Sequence, residues 1–281
     1  MLAHRVVELS PREIIHRTFG HSGGPITRLM SPSDVGELVK PFVFLDHAVF
    51  EPGSRYPMER MWHPHSGIAT VTVMLEGGVR FAETTGRQGR LPKGGVEFMQ
   101  AGNGVWHTGQ AEDGEVKAFQ LWVALPPELE NAPNKSQYVM PADVRSSGPA
   151  RVILGEYGGK KSPIVAPPMT YLQVDLENGD EWTYVPAEGH DVAWAAVSTG
   201  LLRTPAPIRA GEMAVFAPSE QPIDFVAEGT TRFVLGSAKK HPHELWLGNY
   251  SVHTSEEALA QGETEIRQIG RRLRAGDRET P

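Results

Sequence analysis

The sequence predicts an all-β fold, and three observations carry that prediction. Ile68 to Leu75 reads IATVTVML, with Ala69, Val71, Val73 and Leu75 on one parity and Ile68, Thr70, Thr72 and Met74 on the other. That alternation is the signature of a strand. Glycine (30) and proline (23) together make up about a fifth of the 281 residues, and turn chemistry at that density suits many short strands better than long helices. Turn signals then recur at Glu76-Gly77-Gly78, Thr84-Thr85-Gly86, Leu91-Pro92-Lys93-Gly94-Gly95 and Gly102-Asn103-Gly104. Strands broken at spacings of about 8–12 residues read as an antiparallel barrel or jelly roll.

Taken in order, residues 5–9 and 25–29 read as short edge strands around a polar loop holding His16 and His21, both expected to be exposed. PFVFLDHAVF (41–50) reads as a buried strand, in which His47 is either a satisfied core histidine or part of a pocket wall. The strand at 68–75 follows His63 and His65. If no bulge intervenes, those two histidines share the odd, apolar parity, which would face the barrel interior. VRFAET, VEFMQAG and VWHTG are the next strands. PPELENAPNKSQ (126–137) is polar and proline-rich, a candidate linker. Beyond it RVILGEY, TYLQVDL, EWTYVPA, DVAWAAVSTG, MAVFAP, DFVAE and RFVLGSA form a second β-rich region. In the tail, Thr254 with Glu257 reads as a capping box. Ile266, Ile269 and Leu273 follow as an apolar helical stripe, and Arg267, Arg271, Arg272 and Arg274 as its solvated face.

Composition bounds the function. A chain of 281 residues is long enough for two ordinary domains, each with its own core. A formal net charge of −7 argues against a nucleic-acid surface as the main business. With no cysteine there is neither a disulfide framework nor a thiolate ligand, so histidine or oxygen must hold any metal. The N-terminus lacks the apolar core of a signal peptide, and no apolar run approaches the roughly 18 residues of a membrane span. A soluble cytoplasmic protein with no membrane association is the expectation. There is no GxSxG elbow, no P-loop and no GxGxxG after a strand, and Gly102-Asn103-Gly104 is a turn, not a phosphate cradle.

The histidines carry the chemistry. His63 and His65 are two apart, so on a strand they point the same way and can grip one ion; His107 follows 42 positions after His65. Imidazole suits zinc, copper, iron and nickel, and three imidazoles leave positions open for a substrate. A second HxH, His241-Pro242-His243, copies the letters without the glycine-rich partner segment, and reads as an exposed loop. His253 is expected just before the tail-helix cap. His190 is the lone histidine among the strands of the second β region, which therefore reads as a barrel without a metal.

HPHSGIATVT (63–72) and LPKGGVEFMQAGNGVWHTG (91–109), flanked by PFVFLDH (41–47) and FQLWVALP (119–126), resemble the paired cupin motifs in the form used by the pirin family. The resemblance covers about the first 130 residues. It implies two cupin-type antiparallel barrels in one chain with a short C-terminal helix. Residues 1–130 would be the metal-binding barrel, and 131–281 a cupin-like barrel without a metal, plus the tail. It also implies a metal held by His63, His65 and His107. The ion would be one divalent transition metal, iron foremost, with nickel, copper, manganese or zinc as alternatives.

The family's fourth ligand, a glutamate two residues after the third histidine, falls on Gly109. Gln110 has the wrong parity to replace it unless the strand bulges, and the other inward carboxylate position used by cupins falls on Ala69. The site would then be three neutral imidazoles, with no evident general base. Two functions follow from the resemblance. One is a mononuclear dioxygenase of quercetin 2,3-dioxygenase type acting with dioxygen on a small phenolic. The other is a metal-dependent regulatory partner of a transcription factor or metabolic enzyme, without turnover. A barrel that has lost its ion is the third possibility.

Overall fold

The structure is a computed structural model that describes residues 12–53 and 62–276. The strand expected at 5–9 lies outside the described residues. The chain is all-β, built from antiparallel cupin-type jelly-roll sheets with one long C-terminal helix. In the first half a seven-stranded sheet runs in the order Lys135–Val139, Val96–Gln100, Ile68–Glu76, Val116–Ala124, Phe42–Phe50, Ile26–Met30, His21–Gly23. A four-stranded sheet packs over it, in the order His63–His65, Val105–Ala111, Gly78–Glu83, Gln88–Pro92. Met74, Val116 and Ala118 from the larger sheet meet Leu91, Val79 and Phe81 from the smaller. The glycine-bearing turns predicted from sequence join these strands with positive φ, Gly86 closing a hairpin and Gly77, Gly94 and Gly102 carrying the chain from one sheet to the other.

The second half folds around a nine-stranded sheet whose main path is Ile14–Thr18, Met213–Phe216, Val192–Arg203, Ile223–Ala238, Thr170–Leu176, Ala150–Leu154, Ser146–Ser147. Two crossings tie the halves together. Ile14–Thr18 pairs with Met213–Phe216, and Lys135–Val139, inside the stretch read as a linker, pairs with Val96–Gln100. The same stretch carries the short helix Pro127–Glu130. Along Val192–Val197, before the strand's register shifts, the pleat sorts residues by parity. Ala193, Ala195 and Val197 enter the second half's own core with Phe216, Phe225 and Phe233, while Trp194 and Ala196 turn toward the first half.

That sorting overturns one expectation. Ala69, Val71, Val73 and Leu75 do not face the interior between the first two sheets; they pack in one cluster with Trp194, Ala196, Met213 and Val234 of the nine-stranded sheet. The even set faces inward instead, with Thr72 and Met74 lining the cavity described below. Gly67 is the physical reason. Its φ of 75° breaks the chain between His63–His65 and Ile68–Glu76, so parity counted across it does not carry over. The seven-stranded sheet is thus apolar on the face toward the second half, and each fully buried valine or phenylalanine there contributes about 1.5–3 kcal/mol. Trp194 is its centre, 5.5 Å edge-on from Phe42. It sits opposite Gly236, where any Cβ would lie 2.5 Å from the indole.

The C-terminal helix runs Glu256–Ala275, and its cap is not the expected Thr254. Ser255 accepts from the Ala258 N–H at 3.2 Å. Thr254 is already committed, its N–H and hydroxyl both donating to Glu130 at 2.6 and 2.8 Å. Ile266 is buried and Arg267, Arg271 and Arg274 are exposed, as the stripe and its solvated face predict. Among the described residues no helix is long and apolar enough to cross a membrane.

His47 is a satisfied core histidine at the junction of the halves. Its Nε2 lies 3.0 Å from Ser198 Oγ and its ring stacks on Phe119 at 4.6 Å. Burial, with Lys117 nearby, lowers its pKa to about 4. The unfolded chain, with a histidine near 6.5, binds the proton first. The stabilisation from a neutral His47 is therefore complete above about pH 6.5 and lost as pH falls toward 4. Thermal melts of metal-stripped protein across this range should show a shallower acid loss in His47→Gln than in the parent chain; identical slopes would show that His47 does not carry it.

Candidate metal site

Two strands of the four-stranded sheet bring the histidines together. His63–His65 pairs antiparallel with Val105–Ala111, setting His107 opposite His63 and Val105 opposite His65. The three imidazoles each offer one nitrogen, and those nitrogens all lie within 4.8 Å of one another. His63 Nε2 and His107 Nε2 are 2.9 Å apart. Among the described residues this is the group of histidines and carboxylates so gathered.

His65 is the most informative of the three. It is fully buried, and its Nδ1 lies 3.1 Å from the Tyr250 carbonyl oxygen. A carbonyl can only accept, so Nδ1 carries the proton and Nε2 has a bare lone pair. That Nε2 is buried without a hydrogen-bond partner. Burial, and then the neighbouring His63 and His107, push its pKa well below the ordinary histidine range, so the ring stays neutral. A buried, unpaired imidazole nitrogen aimed at two others is what a divalent ion satisfies, and the donor set fits one.

His63 and His107 line a cavity of about 940 Å³, with the buried His65 beside them. Phe44, Trp62, Phe81, Trp122 and Tyr250 supply aromatic walls, and Thr72, Glu97, Thr108, Gly109 and Gln120 supply polar ones. On the rim the Arg28 guanidinium pairs with Asp46 and lies 3.9 Å over the Phe44 ring. Burial raises the Asp46 pKa, against the pull of Arg28.

Gly109 lines the cavity as expected from its place in the strand. Its φ is not positive, and a Cβ there would meet only Val79 Cγ2, at 3.2 Å. The backbone does not require glycine at this position. The Val105–Ala111 pairing with Gly78–Glu83 shows no register shift, so Gln110 is not brought inward. Ala69 is in the apolar cluster between the halves.

The sequence reading missed two buried carboxylates. Glu97 sits opposite Thr72, whose hydroxyl donates to its Oε2 at 2.6 Å, and its Oε1 is 3.7 Å from His107 Nδ1. That span is too long for a hydrogen bond. Glu83, opposite His107 in the register, accepts from Thr85 at 2.7 Å, Ser136 at 2.8 Å and the Tyr138 hydroxyl. Burial and the two carboxylates raise the Tyr138 pKa, keeping it a donor. No local motif marks either glutamate; both depend on which strands pair. Of the other histidines, His241 is buried rather than exposed, its backbone N–H donating to the Lys40 carbonyl at 3.0 Å. His243 is exposed, as expected. His16 is half-buried, and His190 lies apart in the second half. His253, just before the helix cap, is buried.

A buried carboxylate 3.7 Å from His107 Nδ1 would favour a cation held at the neighbouring histidines through its charge. Glu97→Gln should therefore weaken divalent-ion affinity about tenfold, measured by competition with a chromophoric chelator. Affinity within twofold of the parent would remove Glu97 from the site.

The pirin family's sequence profile matches residues 25–123. A pirin-like protein of Caulobacter vibrioides is 31% identical over 250 residues, 83% of this chain and 85% of the relative. A Pseudomonas aeruginosa protein whose name proposes quercetin 2,3-dioxygenase activity is 26% identical over 270 residues, 90% and 93% of the two chains. The crystal structure of a quercetin 2,3-dioxygenase from Acinetobacter baumannii superposes with a TM-score of 0.76 at 23% identity, over 97% of this chain and 98% of that one. With the fold, the histidine cluster and a relative matched along most of its length, the chain belongs to the pirin family.

Proposed function

We propose that the chain is a mononuclear metal-dependent dioxygenase acting on a small phenolic of flavonol type, with His63, His65 and His107 as the metal ligands. Iron is the ion we name first, with nickel, copper, manganese and zinc as alternatives. Residues 1–130 would carry the ion, while the interior formed by 131–281 is filled with side chains. The observation that carries the reading is the buried, unpartnered His65 Nε2, gathered with His63 and His107, which themselves line an aromatic-walled cavity. The Pseudomonas aeruginosa relative's name supports the substrate class.

A divalent ion at this site would lower the pKa of a phenolic hydroxyl and bring the electron-rich ring beside dioxygen. The chain's own residues do the rest. Phe44, stacked on Trp122 at 3.9 Å with Arg28 over it, forms a fixed aromatic wall, and Tyr250 offers a further ring against which a planar substrate would pack. Thr72 occupies one oxygen of Glu97, and the other, Oε1, is the acceptor we assign to the phenolic proton. Glu97 thus takes up the role for which the sequence alone offers no residue. With Gly109 supplying no side chain, the space beside Val79 stays open to substrate.

The test uses protein purified without a histidine tag. About one transition-metal ion per chain, absent from a His63→Ala/His107→Ala double variant, together with oxygen consumption on adding a flavonol, is the expected result. A chain that takes up no ion even after reconstitution fails the metal assignment. A loaded chain that consumes no oxygen with any phenolic fails the dioxygenase assignment and leaves a binding role.

A further inference from the structure

The strands that carry the three histidines are held from behind by the far C-terminal part of the chain, and the fit is too close to be incidental. The Tyr250 carbonyl accepts a hydrogen bond from His65 Nδ1–H at 3.1 Å. Next in sequence to His65, Ser66 is fully buried, with its Oγ 2.9 Å from Ser251 Oγ and 3.0 Å from His253 Nε2. On its other side His253 Nδ1 lies 3.4 Å from Glu130, which also anchors Thr254. Ser66 and Ser251 form a backbone bridge, and the Val252 N–H donates to the Ser66 carbonyl at 3.3 Å.

Glycines allow this approach at two levels. At Gly67 a Cβ would stand 2.0 Å from the Val252 carbonyl oxygen. At Gly262, on the helix, it would stand 2.5 Å from Ser66 Oγ and 2.6 Å from His253 Nε2. The helix also grips the strand of the third histidine, since Trp106 Nε1 donates to the Ile266 carbonyl at 2.7 Å.

Neither Ser66, Ser251 nor His253 is aimed at the ion position, and the hydrolase chemistry that a serine–histidine–glutamate row suggests is closed by burial, with Ser66 0% and His253 1% exposed. What the network does is fix the height of the Tyr250 carbonyl against the His65 ring. An imidazole free of that carbonyl can place its proton on either nitrogen, and only one tautomer offers Nε2 as a ligand.

Building on the metal assignment above, we propose that the segment from Tyr250 through the helix Glu256–Ala275 is a working part of the metal site. It positions His65 in the tautomer that presents Nε2, so ion binding depends on residues that never touch the ion.

Histidine nitrogen NMR on the metal-free full chain reads the tautomer directly, and chelator competition reads the affinity. In the parent chain His65 should carry its proton on Nδ1. Ser66→Ala, which cuts the network at its centre, and Gly262→Ala, which pushes the helix outward, should mix the two tautomers and weaken ion binding about tenfold. Gln268→Ala, on the exposed face of the same helix, should do neither. Far-ultraviolet circular dichroism reports whether each variant folds, and Ser66→Ala decides alone if Gly262→Ala does not. A parent His65 protonated on Nε2, or folded variants with tautomer and affinity unchanged, would overturn the proposal. If the parent takes up no ion, the metal assignment fails, and the tautomer comparison still decides whether the C-terminal segment orders His65.

Discussion

The pocket floor depends on how one imidazole is denied water. His65 is fully buried, its Nδ1 is spent on a backbone carbonyl from 185 residues away, and its Nε2 has nothing to bond. Leaving such a nitrogen unpaired costs about 1–3 kcal/mol, unless something the chain itself does not supply completes it. Burial also keeps the ring neutral, which a ligand must be. The cost of an unpaired nitrogen and the need for a neutral one therefore point the same way, and the surrounding contacts serve both. Gly67 lets the C-terminal strand close over His65, and the seven-stranded sheet beneath is backed by the second half through Trp194.

The fold class was legible because it rests on local signals. Alternation over 68–75 and positive-φ glycines at the predicted turns are properties of a few adjacent residues. The three histidines were legible for the same reason, since HxH and a glycine-flanked third histidine are short patterns. What the sequence hid was pairing. Glu97 becomes a site residue through its place opposite Thr72, and Glu83 through its place opposite His107. Tyr250 contributes a main-chain oxygen, which no side-chain pattern could mark. The parity error at 68–75 has a related cause. Alternation says that two faces differ, but a single glycine with φ of 75° reverses which face continues from the histidines.

The buried faces also explain why the first sheet is apolar where a barrel interior was expected. A cupin sheet standing alone would bury one face and wet the other, and its strands would alternate apolar with polar. Here the outward face is covered by a second sheet, so Ala69, Val71, Val73 and Leu75 form a core between the halves. The inward face packs on the smaller sheet through Met74, Val116 and Ala118 and leaves a cavity beside them. It can afford Thr72, Glu97 and Gln120, the polar groups that a substrate cavity needs.

The same redistribution accounts for the missing glutamate. Read from the sequence, Gly109 leaves three neutral ligands around a dication with no counter-charge nearby. In the folded chain two carboxylates are buried close by, Glu97 at 3.7 Å from His107 Nδ1 and Glu83 across the strand from it, the latter held by three hydroxyls. On the proposed assignment, negative charge stands behind a ligand histidine rather than at the ligand position. A buried carboxylate there would still offset an ion's charge through the imidazole, because Coulomb attraction over a few ångströms is less screened for buried groups than in water. It no longer occupies a coordination position. On the same assignment, Gly109 leaves the position beside the three histidines free of a fourth side chain, next to a cavity of about 940 Å³ that would admit a substrate.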